Sequence, residues 1–340
     1  MPEASPVDIL VMGAGTIGCY IGGCLATEGV RMAFVGRPRV LDAIGQHGMV
    51  LTDLDGGDRR LRPSMLQLYD RVPEGIHPAL VLLTVKSGAT VEAAAELDAA
   101  LPSRTPVLSL QNGIANALHA ARAAPTLHVF PGMVPFNVAE VEPGHFHRGT
   151  SGRLAARQDG SLRSWVSVFE QAGVGIDLHP DLLPVQWGKL LLNLNNPVNA
   201  LSGLPLREEL LDRGYRRCLA ALMDEALEAL TWARIKPAQL AAVPPARVPS
   251  ILRLPTPLFR LAASRMLRID AQARSSMADD LALGRPTEID ALCGEVVRLA
   301  RSNGARAPIS ARMMELIEAW PKKPEHLSSR ELQSALGIVK

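Results

Sequence analysis

The stretch ILVMGAGTIGCYIGGCLATEG, residues 9–29, decides the fold. It opens on an apolar run, DILVM (8–12), with the length and composition of a strand buried on both faces. Gly13-Ala14-Gly15-Thr16-Ile17-Gly18 follows, and then a helix-forming run from Ile17 to about Thr27. A strand, a G-x-G-x-x-G turn and a helix open a dinucleotide-binding βαβ unit. The first glycine allows a tight turn, the second lets the backbone approach a pyrophosphate, and the third lets the helix pack close on its strand. The anion rests on the helix N-terminus, where unpaired N–H groups and the dipole favour negative charge. A glycine-rich turn without a ligand has the same pattern. The second apolar strand, RMAFVGR (31–37), stands at βαβ distance and favours the dinucleotide.

The tip of that second strand bears on the cofactor. An NAD enzyme usually places Asp or Glu there, against the ribose 2′-hydroxyl. This chain has Gly36, Arg37, Pro38 and Arg39 instead. Arg37 could pair with a 2′-phosphate through its fork of donors, which favours NADP(H) over NAD(H); a solvated loop arginine is the plainer alternative. The alternation continues with ALVLLTVKS (79–87), ending near Lys86, and TPVLSLQNGIAN (105–116), ending near Asn112 and Gly113. Ligands of open parallel sheets lie beyond the carboxyl ends of the strands, so Lys86 and Asn112 stand within reach of a cofactor or substrate. GRLAAR and SLRSWVSVFEQAG, within 152–177, are expected to complete the sheet.

The rest of the composition bounds the function. A chain of 340 residues exceeds one typical core, which predicts two domains. A formal net charge of +2 is too small to imply nucleic acid or an anionic membrane as the main partner, and neither is expected. No apolar run reaches the length of a spanning helix, and the start, MPEASPVDILVMG, does not resemble a secretory signal. Cys19, Cys24, Cys218 and Cys293 form neither a CxxC pair nor a zinc-spaced cluster, so no metal site is expected. Buried reduced thiols fit a cytoplasmic enzyme.

After about His179 the texture turns helical. YRRCLAALMDEALEALTWARI (215–235) has helical periodicity, AVPPARVPSILRLPTP (242–257) reads as loop or broken turns, and TEIDALCGEVVRLARSNG (287–304) reads as a helix ending at Asn303-Gly304. In WGKLLLNLNNPVN (187–199), Lys189, Asn193 and Asn196 fall at i, i+4 and i+7, sharing one face of a helix otherwise covered by leucines. Pro197 is expected to kink it. A lysine and amides on so apolar a helix are costly unless paired or facing a cleft, which points to a substrate site or to a buried amide network. In ARSSMADDLALGRPTEID (273–290), Pro286 or Thr287 could begin the last helix with Glu288 in its first turn, and capping is the plain explanation.

Taken together, GAGTIG, TVKS with Lys86, LQNG with Asn112, WGKLLLN and RSSMADDLALGRPTEID resemble ketopantoate reductase, from residue 9 to about residue 310. The resemblance implies an N-terminal Rossmann domain (1–180) and an all-helical C-terminal substrate domain (181–340), with the active site in the cleft between. It implies a cytoplasmic enzyme reducing ketopantoate to pantoate with NADPH, on the route to pantothenate and coenzyme A. By motif, Lys189 matches the catalytic lysine and Glu288 the catalytic-site glutamate, which also borders the cofactor. Asn193 matches a substrate asparagine and Ser276 the substrate serine. Asn112 and Lys86 match residues lining cofactor and substrate, and Arg37 the basic residue at the 2′-phosphate. Gly13, Ala14, Gly15, Thr16, Ile17 and Gly18 match the pyrophosphate turn.

One departure concerns the substrate. The family pattern has a second asparagine two turns after the lysine, followed by proline; here Pro197 occupies that count. Asn196, Asn195 or Asn199 is left to take the role. The segment 131–152 is a further place where relatives vary. Rival functions are a related NADPH oxidoreductase acting on another 2-oxo acid or an imine, and an NADP(H)-binding redox sensor without turnover. The expected partner is a small 2-oxo acid, and a homodimer stays open.

Overall fold

The computed structural model describes residues 6–264, 267 and 272–338. The chain divides after Leu182 into two compact units. The strands of the first unit are β1 (Ile9–Met12), β2 (Met32–Val35), β3 (Met49–Asp53), β4 (Asp58–Leu61), β5 (Gln67–Tyr69), β6 (Leu80–Leu83), β7 (Pro106–Ser109), β8 (His128–Met133), β9 (Val138–Glu142), β10 (His145–Arg148), β11 (Leu154–Arg157) and β12 (Ile176–His179). Its helices are α1 (Thr16–Thr27), α2 (Pro38–His47), α3 (Thr90–Ala100), α4 (Asn116–Ala123) and α5 (Val166–Gln171).

Eight strands form one sheet in the order β12-β11-β8-β7-β6-β1-β2-β5. Every neighbouring pair is parallel except β11 against β8. β1, β2 and β6 are buried along their whole length, as near-continuous apolar runs in a doubly covered sheet must be. Side chains alternate between two cores. Ile9, Val11, Phe34 and Leu82 enter one; Leu10, Met12, Val35 and Leu83 enter the other. GRLAAR supplies β11 and SLRSWVSVFEQAG supplies α5; the edge strand β12 follows them.

A second sheet, β4-β3-β10-β9, lies outside the sequence expectations. It packs on α1: a Cβ on Gly23 would stand 2.8 Å from Leu51 Cδ1. Its strands carry charged runs such as DRRL and VAEVE, half-exposed or exposed, so they lack the apolar signature of the main sheet. The variable segment 131–152 supplies β9 and β10.

In the second unit the described residues form helices and no strand: α6 (Leu183–Asn193), α7 (Asn195–Ser202), α8 (Leu206–Leu211), α9 (Arg213–Trp232), α10 (Val248–Leu252), α11 (Thr256–Ala262), α12 (Ser276–Ala282), α13 (Glu295–Ser302), α14 (Pro308–Ala319) and α15 (Ser329–Ala335). The central α9 is capped by Asp212, which accepts from Gly214 N at 2.6 Å, and buries Cys218, Leu222, Ala226 and Leu230. The proline-dense stretch becomes the short helices α10 and α11, with proline in their first turns, where no N–H is missed. The helix expected over 287–304 begins with a π-helical turn, Asp290–Gly294, and continues as α13. It stops at Ser302, with Gly304 at φ +73°. No helix among the described residues is long and apolar enough to cross a membrane.

Candidate active site

In the first unit, β7, β6, β1 and β2 are adjacent and parallel, so their carboxyl ends share one edge. Gly13–Gly18 follow β1, Arg37 follows β2, Lys86 follows β6 and Asn112 follows β7. Gly13 has φ +111°, and a Cβ there would lie 2.6 Å from Val85 N. Only glycine serves at such a place. Gly13 N and Ala14 N both donate to Val35 O, at 3.0 and 2.8 Å, tying the turn to the end of β2. Gly18 is confined from the other side: a Cβ would meet Thr84 Oγ1 at 2.5 Å, and Thr84 Oγ1 donates to Gly13 O at 2.7 Å. Thr84, the first residue of TVKS, is thus a part of the turn.

These contacts leave α1 open at its start. It begins at Thr16, one residue before the expected Ile17, with Gly15 as N-cap. Gly15 offers no side-chain cap, the first turn has no acidic residue, and a Cβ on Gly15 would meet nothing within 4 Å. A free helix N-terminus beside the open space at Gly15 fits a dinucleotide pyrophosphate. Arg37 is exposed at the N-cap of α2 and makes no ion pair among the described residues; Arg39 instead pairs with Glu140 at 3.2 Å.

The Lys86 and Asn112 loops are held together from beneath. Gln111 is buried, and its Nε2 donates to Val85 O at 2.9 Å and Thr90 Oγ1 at 2.6 Å. Its Oε1 accepts from Ser109 Oγ at 2.9 Å. Asn116 Nδ2 donates to Ser87 Oγ at 3.0 Å and to the Asn112 carbonyl. A satisfied network of this kind rigidifies the loops it joins. None of Gln111, Thr90 or Asn116 was expected; the bonds that join the two loops span 21 to 29 residues, and only the polar letters in LQNGIAN hint at them.

In the second unit the helix through Lys189, Asn193 and Asn196, expected to be disturbed by Pro197, is broken into two helices. α6 ends at Asn193 and α7 begins at Asn195. The cause is Pro197, which has no N–H for the Asn193 carbonyl. Lys189 and Asn193 remain i, i+4 neighbours on α6, while Asn196 belongs to the first turn of α7. Lys189 is half-buried as a residue, and desolvation pushes its ammonium down from 10.5 to about 8.

The three open asparagines divide clearly. Asn199 is fully buried: its Nδ2 donates to Leu204 O at 2.9 Å and its Oδ1 accepts from Ser275 N at 2.9 Å. Asn195 Nδ2 donates to Glu209 Oε2 at 2.9 Å. Asn196 uses its carbonyl, which accepts from Ser275 Oγ at 3.2 Å, and its carboxamide makes no hydrogen bond among the described residues. Ser275 caps α12 by accepting from Ala278 N at 3.2 Å; Ser276 is the exposed first residue of that helix. Glu288 is half-buried and immediately precedes the helix that starts at Ile289, so it does not occupy the first turn as expected; Asp290 does. Asp290 Oδ1 accepts from Arg298 Nη1 at 2.7 Å, which steadies the π turn. No group of His, Cys, Asp and Glu among the described residues has metal-binding geometry. The four cysteines are buried and free.

Residues 9–158 match the family described as ketopantoate reductase PanE/ApbA, and residues 181–320 match its C-terminal part. The 2-dehydropantoate 2-reductase of Halobacterium salinarum is 27% identical over 315 residues, covering 91% of this chain and 97% of that protein. The 2-dehydropantoate 2-reductase of Mycobacterium tuberculosis is 28% identical, covering 93% and 98%. A crystal structure of a PanE/ApbA family ketopantoate reductase from Ralstonia eutropha JMP134 superposes with TM-score 0.78 at 28% identity, covering 93% of this chain and 99% of that one. A D-mandelate dehydrogenase solved with NADH and anilino(oxo)acetate shares the fold, with TM-score 0.76 at 18% identity over 92% and 98%. The chain belongs to the ketopantoate reductase family of oxidoreductases.

Proposed function

We propose that this family member reduces ketopantoate to pantoate with NADPH, taking the proton from Lys189. The observation that carries the reading is the Lys189 ammonium, desolvated to a pKa of about 8 one helical turn before Asn193 on the same face of α6. Such a group is still charged at neutral pH, yet it releases its proton far more readily than an ordinary lysine. As a carbonyl oxygen gains negative charge, the ammonium stabilises it and then donates. Bound NADPH supplies the hydride.

The remaining roles fall to the chain's own residues. Gly13–Gly18 receive the pyrophosphate, and the exposed Arg37 takes the 2′-phosphate with its forked donors. Lys86 and Asn112, on loops stiffened by Gln111 and Asn116, line the cofactor and substrate. Asn193, Asn196 and Ser276 orient the carboxylate and hydroxyl of the 2-oxo acid, and Glu288 holds Lys189 charged or binds the substrate hydroxyl. The names of the relatives support ketopantoate as substrate, and Arg37 at a strand tip without a carboxylate supports NADPH.

The test is consumption of NADPH with ketopantoate beside a panel of branched and aromatic 2-oxo acids, followed by the reduced-nicotinamide absorbance and repeated with NADH. A kcat/KM for ketopantoate above the rest of the panel, and for NADPH above NADH, is expected. Preference for an aromatic acid or for NADH overturns the respective half; cofactor binding without turnover leaves a redox sensor.

A further inference from the structure

Glu209 is a carboxyl that the proposed chemistry does not use. It lies on α8, 0% exposed. Its Oε2 accepts from Asn195 Nδ2 at 2.9 Å, while its Oε1 is buried without any partner. The same is true of Asn195 Oδ1, also buried and also without a partner. Two flat groups thus share one hydrogen bond, and each leaves its second oxygen orphaned. Buried acceptors without donors are rare and costly, and one proton shared between the two groups would satisfy both.

We propose that Glu209 is kept as the neutral acid, its Oε1 hydroxyl donating to Asn195 Oδ1, and that the resulting two-bond ring is a positioning device for Asn196. The second clause rests on the functional reading given above, in which Asn196 meets the substrate. Helix α7 has no side-chain cap at its start. Its start is held instead by the Asn195 ring and by Ser275, whose Oγ donates to Asn196 O in the first turn and whose N donates to Asn199 Oδ1 one turn on. The Asn196 carboxamide stands between these anchors.

The surroundings favour the neutral form. From α7 the amides of Asn195 and Asn199 face the carboxyl, and their hydrogen bonds favour its ionised form. The charged and titratable neighbours come from α9 and its cap: Asp212, Tyr215, Arg216 and Cys218. Asp212 disfavours a second negative charge, whereas Arg216 favours it. Yet Arg216 spends its donors elsewhere, on the carbonyls of Leu252, Leu210, Leu211 and Leu254, and stacks 4.2 Å over Phe259. Burial is the larger effect and pushes Glu209 up to about 8.

The ring has a conservative substitute. In Glu209→Gln the amide donates to Asn195 Oδ1 and accepts from Nδ2, as the neutral acid does, but cannot ionise. Infrared difference spectra of wild type against Glu209→Gln should show a protonated-carboxyl carbonyl band that disappears in the variant. At pH 7 the variant should keep kcat and the 2-oxo acid KM within about twofold, since no hydrogen bond is lost. Between pH 7 and 9.5 the wild-type KM should rise roughly tenfold, the effect of breaking one buried hydrogen bond, while that of Glu209→Gln stays flat. The KM for NADPH should not move in either. A missing carboxyl band, or a KM raised at pH 7 by the glutamine, overturns the neutral acid. A band present with a flat wild-type KM removes the link to Asn196. If no 2-oxo acid is turned over at all, the functional reading falls and the link with it, while the infrared band still decides the protonation of Glu209.

Discussion

Raising the pH from 7 to 9 should cost this enzyme most of its reductive turnover. Lys189 carries the magnitude: desolvation places its pKa at about 8 instead of the ordinary 10.5. One unit of pKa is about 1.4 kcal/mol, so burial disfavours the ammonium by about 3 kcal/mol. At pH 7 the group is about nine-tenths ammonium, and at pH 9 about one-tenth, a tenfold loss of the proton-donating form. In the mechanism proposed above reduction needs the ammonium, so kcat should hold below pH 7 and fall through pH 8. Oxidation of pantoate needs the neutral amine and should rise through the same range. Single-turnover rates with saturating NADPH and ketopantoate are the proper readout, because product release otherwise masks a chemical limb. In Lys189→Arg the cation does not titrate in this range, so whatever rate remains should be independent of pH there. Because Glu209 titrates nearby but acts on KM, the kcat limb should survive in Glu209→Gln. A wild-type rate flat to pH 10, or a limb that persists in Lys189→Arg, would refute the assignment of the proton donor.

Further outcomes can be measured separately. Arg37→Ala should weaken NADPH by about tenfold or more and leave NADH nearly unchanged, in titrations of the free enzyme; equal losses would remove the 2′-phosphate contact. Gly18→Ala sets a methyl 2.5 Å from Thr84 Oγ1 and against the Gly13 carbonyl, so the turn must open. We expect both cofactors to bind more weakly and about 1–3 kcal/mol of stability to be lost, with unchanged binding and melting as the contrary result. Asn199→Ala leaves Leu204 O and Ser275 N without partners, which should cost about 2–4 kcal/mol in urea unfolding. A loss below about 0.5 kcal/mol would mean that water replaces the amide. The folded pKa of Glu209 stands above the 4.5 of the unfolded chain, so its favourable contribution is full below pH 4.5 and lost as pH rises toward 8. Glu209→Gln should therefore exceed the wild type by about 2–3 kcal/mol at pH 7, and that gap should shrink toward pH 4.5.

Much of the fold was legible because it rests on local signals. Runs such as ILVM and LVLL can only be strands covered on both faces, and GAGTIG between a strand and a helix permits few other readings. The second sheet was hidden for the opposite reason: its short, charged strands are half-exposed, and β3 finds β10 across some ninety residues of chain. At the helix break, Pro197 foretold a disturbance, but the break falls at Leu194 because the missing donor is felt one turn earlier, at the Asn193 carbonyl. For Glu288, the capping letters around Pro286 and Thr287 suggested an earlier start than the helix takes.

By itself, then, the amino-acid sequence determined the strand–turn–helix at the N-terminus, the helical character of the second half and the lysine-and-asparagine stretch, since each depends on neighbours within a turn or two. Only the tertiary structure decided which of three adjacent asparagines is spent and which keeps its amide. Asn199 is claimed by Ser275 and Leu204 and Asn195 by Glu209, contacts made across loops, and burial is the largest effect that moves Lys189 down and Glu209 up, each to about 8. Desolvation and long-range hydrogen bonds depend on what surrounds a side chain in space, and no local pattern of letters carries that information.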